Sequence, residues 1–123
     1  MVRAEGTHFT HEDGSRYIPF DTTVYALVHQ EDAIVEQTLE TLKNAPFNKV
    51  RMCVFPKHYD LVANEPPYHP FMKNEDGVWD VHKPDFTFWH RFEKYLDRLE
   101  ELKIQVDLIL SYSILMIAGV TVP

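Results

Sequence analysis

The chain is poor in glycine, short of positive charge and almost free of cysteine. Among 123 residues there are four glycines and one cysteine, and 12 Lys and Arg stand against 19 Asp and Glu. One cysteine, Cys53, excludes an internal disulfide. Its place in an apolar stretch fits a small buried filler. A net charge of −7 argues against sequence-independent nucleic-acid binding, which needs a positive surface. The scarcity of glycine leaves no glycine-rich phosphate loop. The longest apolar run, residues 114–122, falls far short of the ~20 residues a spanning helix needs. The opening MVRAEGTHFTHEDG is polar and lacks the apolar segment of a secretion signal. These absences predict a soluble chain, cytoplasmic as it stands, with neither a membrane nor a nucleic acid as partner. His58, His69, His82 and His90 fall in one stretch, yet no HExxH and no Cys/His zinc spacing occurs. No metal and no other cofactor is expected.

What the chain does have is aromatic side chains, 13% of its residues. They suit either a thick core or a surface that stacks on sugar rings. Tyr68, Phe71 and Trp79 are candidates for such stacking, and a loop packed on its own aromatics is the plain alternative. Residues 7–20 read as a short hairpin turning at Asp13-Gly14. Residues 22–28 (TTVYALV) read as a buried strand that ends at His29-Gln30. Residues 31–44 read as a helix, with Glu31 and Asp32 in the first turn and Ile34, Val35, Leu39 and Leu42 as its stripe. Residues 47–55 read as a second buried strand with Arg51 inside it. Residues 56–83 read as one long connection, which in a compact unit is usually functional or disordered. Residues 84–103 read as a second helix with Pro84 at its first position and Phe88, Trp89, Phe92, Tyr95, Leu96, Leu99 and Leu102 on its apolar face. Residues 104–110 (IQVDLIL) read as a third strand. Strand, helix, strand, helix, strand predicts a parallel sheet.

The stretches GSRYIPFDTTVYALVHQ, FNKVRMCVFPKHYD and NEPPYHPF, followed by a helix and DLIL, resemble a bacterial group of glycoside hydrolases. The resemblance covers residues 4–110. It implies a cellulase-like (β/α)8 barrel, often behind an N-terminal β-sandwich, of which this chain would hold the first three β/α units after a short β-hairpin. An incomplete barrel follows. Such enzymes hydrolyse O-glycosidic bonds in poly- or oligosaccharides, so a carbohydrate substrate is implied. In a barrel the site lies at the C-terminal ends of the strands. That places His29 and Gln30 after strand one, and Lys57, His58 and Tyr59 after strand two, as substrate-binding candidates. Arg51 matches the strand-two arginine that holds the nucleophilic carboxylate, a task that a permanently charged forked donor suits. Its plain alternative is a strand residue paired with an ordinary carboxylate.

Retaining hydrolysis needs two carboxyl groups ~5–5.5 Å apart. In this group both are glutamates on strands four and seven, and Glu65 and Glu75 match neither. No catalytic residue is therefore expected in the chain, and it should be inactive alone. After DLIL the group continues with a sequence like FHPYDRWG, whereas residues 111–123 form an apolar tail that matches nothing. One permissible coding of that tail, read two bases later, translates as IFHPYDRWGYGT. The expectation is a 1–110 hydrolase segment followed by an out-of-frame tail at 111–123. Three parallel strands cannot close into a barrel, so self-association through open sheet edges is expected. Two other readings stand beside this one: a small α/β carbohydrate-binding module without catalysis, and a small flavodoxin-like or regulatory α/β protein.

Overall fold

The computed structural model describes residues 1–55 and 66–110. It is a mixed α/β unit. Three short strands, β1 (Arg3–Glu5), β2 (His8–Thr10) and β3 (Arg16–Tyr17), form an antiparallel meander. The expected hairpin is present as β2–β3, with Phe9 opposite Tyr17, but β1 adds a strand that was not expected. Gly6, at φ 62°, makes the tight β1–β2 turn that a side chain would strain. The β2–β3 loop spans residues 11–15, longer than a two-residue turn. There the Asp13 carboxylate accepts from the Ser15 backbone N–H at 2.9 Å, and His11 N–H donates to Ser15 O at 2.8 Å.

Strand β4 (Asp21–Thr23) is shorter than expected. Parallel bonding continues a little further, with Val24 N–H donating to Arg51 O and Cys53 N–H to Tyr25 O, both at 2.9 Å. The chain then turns into a single 3₁₀ turn at Leu27–His29. All three of its residues are buried. A strand sends neighbours to opposite faces and cannot bury three in a row on one side, whereas a turn can.

Helix α1 (Asp32–Lys43) buries Val35, Leu39 and Leu42, and Ile34 lies off this stripe at 48% exposure. Strand β5 (Lys49–Cys53) follows. Within the long connection, the structure contains a hairpin that was not expected: β6 (Phe71–Lys73) and β7 (Trp79–Pro84) pair antiparallel. The Asn74 carboxamide oxygen caps its turn by accepting from Asp76 N–H and Val78 N–H at 3.0 and 3.1 Å, and Gly77 takes φ 76°. Pro84 ends β7 and does not open the second helix. Asp85 is the N-cap, and its carboxylate accepts from Thr87 N–H at 3.0 Å. Helix α2 (Phe86–Glu101) buries Phe88, Tyr95 and Leu99, and β8 (Gln105–Ile109) completes a parallel sheet ordered β4-β5-β8. No closed barrel forms among the described residues.

The core lies between the helices and one face of this sheet. Val50 and Met52 of β5 meet Leu27, Val28, Val35, Leu39, Phe88, Tyr95 and Leu99 there, all essentially inaccessible. The meander is joined to the sheet through Asn48. Its side chain accepts from Phe20 N–H at 2.7 Å and donates to Ile18 O at 2.8 Å, while the Tyr17 hydroxyl donates to its backbone carbonyl at 3.2 Å.

Helix α2 ends with Lys103 at φ 59°. Lys103 N–H donates to Glu100 O at 2.8 Å and Ile104 N–H to Leu99 O at 2.9 Å, the paired bonds of a Schellman cap. Glycine is the residue that takes this left-handed backbone without a steric cost. Lys103→Gly is expected to raise the unfolding free energy by about 1 kcal/mol. Urea titrations followed by tryptophan fluorescence check this; an unchanged or lower midpoint would contradict it.

Candidate functional site

The two faces of the parallel sheet differ in kind. Val50 and Met52 point into the core, while Lys49 and Arg51 alternate onto the other face. Parallel register sets Asp21 and Gln105 beside Lys49, and Thr23 and Asp107 beside Arg51. Arg51 does not sit in a strand buried on both sides, as the sequence suggested: its side chain is 48% exposed on the open face. Lys49 Nζ donates to Asp107 Oδ2 at 2.9 Å, and Arg51 Nη2 lies 3.8 Å from the same oxygen. The Asp107 hydrogen bond holds the Lys49 ammonium above its ordinary pKa.

Beyond this cluster, at the C-terminal end of β5, come the aromatics. Phe55 stacks on Phe71 of the hairpin, with centroids 5.7 Å apart and planes 10° apart. His69 stacks on Trp79 at 3.6 Å, and its Nδ1 accepts from Phe71 N–H at 3.1 Å. The Lys73 ammonium lies 4.8 Å from the Trp79 ring. Tyr68 lies under the Arg91 guanidinium at 3.6 Å. Tyr68, Phe71 and Trp79 thus each pack on a neighbour within the chain.

His29 and Gln30 lie near this end too, on the helical side. His29 is fully buried, and its Nε2 bonds Val54 O at 2.9 Å, so Nε2 carries the proton and Nδ1 does not. Nδ1 has no hydrogen-bond partner among the described residues. Burial pushes the imidazole pKa down to about 4. The Gln30 carbonyl accepts from Arg91 Nη2 at 2.7 Å. Arg91 also pairs with Asp32 at the start of α1, and the Tyr95 hydroxyl donates to the same Asp32 oxygen at 2.7 Å. That hydroxyl, and then the guanidinium, hold Asp32 below the usual carboxylate range. Burial, with the Asp32 hydrogen bond, pushes Tyr95 up to about 12. Lys57, His58 and Tyr59 lie outside the described residues, as does Glu65.

Sequence reasoning missed Asp107. Its signal was its place within IQVDLIL, in alternation with apolar residues, which marks a charge on the strand face opposite the core. A 580 Å³ cleft lies at the other end of the sheet, lined by Tyr17, Asn48, Lys103 and Gln105 among others. Neither His29, Gln30 nor Arg51 borders it. Among the described residues no three His, Cys, Asp or Glu side chains converge as a metal site requires. None of the described helices is long and apolar enough to cross a membrane.

No protein-family model matches the chain, and no curated protein matches it. Solved structures do. One is described as a "putative glycoside hydrolase from Bacteroides vulgatus ATCC 8482"; it is 44% identical, with a TM-score of 0.77, over 89% of this chain and 24% of that one. A second, described as a glycoside hydrolase, is 14% identical with a TM-score of 0.59 over 88% of this chain and 24% of its own, and shows the fold alone. The chain spans about a quarter of the length of each. Its described architecture is therefore similar to part of a glycoside hydrolase.

His29 makes stability depend on pH. Its folded pKa of about 4 lies below the ordinary value of 6.5, so the unfolded chain takes up the proton first. The neutral buried ring contributes fully above pH 6.5, and this contribution is lost as pH falls through 4. Folded stability should drop by a few kcal/mol across that window. His29→Gln should flatten the slope there, as measured by urea unfolding at each pH. An unaltered slope would contradict the assignment.

Proposed function

We propose that this chain is a segment of a cellulase-like (β/α)8 glycoside hydrolase, comprising its first three β/α units. The single observation that carries the reading is the 44% identity and TM-score of 0.77 over 89% of the chain. The order β4, α1, β5, α2, β8 in a parallel sheet supports it, because this is how such a barrel begins. On this reading the open face of the sheet looks into the barrel, and the substrate is a poly- or oligosaccharide.

Arg51 then orients the nucleophilic carboxylate and keeps it ionised. A half-exposed guanidinium at a strand centre, held 3.8 Å from one carboxylate, retains donors for another. Gln30, after the first strand, is a substrate-binding residue on this reading, and so are Lys57, His58 and Tyr59, which follow the second strand in sequence. His29 supports that rim from beneath, through its bond to Val54 O. The parent enzyme works with retention, by an acid/base carboxyl and a nucleophilic carboxylate ~5–5.5 Å apart. No cofactor enters this chemistry. This chain carries neither catalytic carboxylate and is inactive alone, with its sheet edges open to self-association.

Two assays test this reading. The purified chain should release no product from a panel of aryl glycosides and soluble polysaccharides; turnover would overturn the assignment of the catalytic pair to absent strands. Residues 4–110 should also replace the matching segment of the Bacteroides vulgatus protein and give a monomeric chimera with one cooperative unfolding transition. Within that chimera Arg51→Ala should lower kcat on any substrate the parent turns over by about 10²–10³, the usual cost of losing a charge-stabilising donor. A chimera that does not fold would sink the barrel assignment.

A further inference from the structure

Among the described residues Asp107 is the carboxylate paired with Arg51. It stands opposite Arg51 in the β5–β8 register, so both side chains leave the same face of the sheet. Two cations converge on one of its oxygens. Lys49, the less exposed at 22%, makes the hydrogen bond at 2.9 Å. Arg51 stays at 3.8 Å, close enough for attraction but beyond hydrogen-bonding distance. Asp21 stands beside Lys49 on β4, so the negative charge gathers at the Lys49 end of the cluster and positive charge is left at the Arg51 end.

We infer that Asp107, anchored by Lys49, is a positioning residue for Arg51. An arginine on an open face has ~2 kcal/mol of rotamer entropy with which to wander. A fixed carboxylate across the strand holds its guanidinium on the sheet face. Asp107 free of Lys49 would close on Arg51 as a bidentate pair and use up its forked donors. The lysine therefore keeps the carboxylate at a distance that restrains the arginine without saturating it. The positioning rests on this geometry alone. The identity of the second carboxylate that Arg51 would receive, a catalytic nucleophile, rests on the glycosidase reading.

The test uses the whole chain labelled with ¹⁵N-arginine, observed by guanidinium NMR. Arg51 should show resolved Nη signals and slow rotation about its Nε–Cζ bond, unlike Arg3 in the same sample. Asp107→Asn should speed that rotation by about fivefold, the ratio that ~1 kcal/mol gives. Asp107→Glu should restore most of the restraint. Lys49→Met, which leaves Asp107 in place, should slow Arg51 further. Rotation in the unmodified chain as fast as at Arg3 would overturn the proposal before any variant is made. So would a folded Asp107→Asn chain with Arg51 unchanged, or a folded Lys49→Met chain in which Arg51 is released. Millimolar acetate then tests the glycosidase reading separately. It should shift the Arg51 signals saturably; a restrained Arg51 that ignores acetate leaves the positioning intact and removes Arg51 as a holder of the nucleophile.

Discussion

Everything in this molecule depends on a parallel sheet with one dry face. Parallel sheets are ordinarily covered on both sides. Here β5 sends Val50 and Met52, neither accessible to solvent, into a core built from both helices and the 3₁₀ turn. Lys49 and Arg51 alternate with these and stand beside Asp21 and Asp107 of the flanking strands, while Cys53, at the end of β5, is buried. A face of this composition is poorly suited to an apolar cover, because taking ions out of water costs several kcal/mol each even when they are paired. It suits a water-filled cleft, or a surface that receives further polar groups. The interior of a hydrolase barrel at the level of its catalytic carboxylates is such a place.

The C-terminal end of the sheet is braced from the helical side. Arg91 ties α2 to Asp32 and to the Gln30 carbonyl, and its guanidinium covers the Tyr68 ring at 3.6 Å. About two turns further along α2, Arg98 grips Glu36 with two bonds of 2.8 and 2.9 Å. The second pair is partly exposed and contributes little beyond orientation. Arg91 is different. It is only 10% exposed, so loss of its carboxylate partner would strand a buried charge. These contacts hold the turn carrying His29 against Val54 while the opposite face stays open.

Much of the fold was legible because its signals are periodic. Helices α1 and α2 lie within one or two residues of the stripes that announced them, and β5 and β8 fall inside their apolar runs. The failures have physical reasons. Residues 22–28 are β-branched at first, but Leu27, Val28 and His29 are buried consecutively, and tertiary packing overrode strand propensity. The β6–β7 hairpin carried its own signal, Asp76-Gly77 between Met72 and Val78, which four nearby prolines obscured. Pro84 was read as a helix start, although Asp85 is the better capping residue. At the site, Arg51 was found by its oddity in an apolar strand, but its exposure was not, because periodicity marks the core face without saying what covers the other. Alternation within IQVDLIL marks the face of Asp107, but its place beside Arg51 needs the cross-strand register, which no single strand reveals. Lys57, His58 and Tyr59 lie outside the described residues, and His29 proved to be a buried clamp.

The central proposal is that the charged face of the β4-β5-β8 sheet belongs inside a larger barrel. The direct measurement is complementation. The chain would be coexpressed with the Bacteroides vulgatus protein lacking its matching segment, and the product weighed by analytical ultracentrifugation. The account predicts a stable one-to-one complex in which Arg51 and Lys49 become protected from chemical modification. A chain that stays a cooperative monomer beside the truncated protein, with both side chains still reactive, would contradict it.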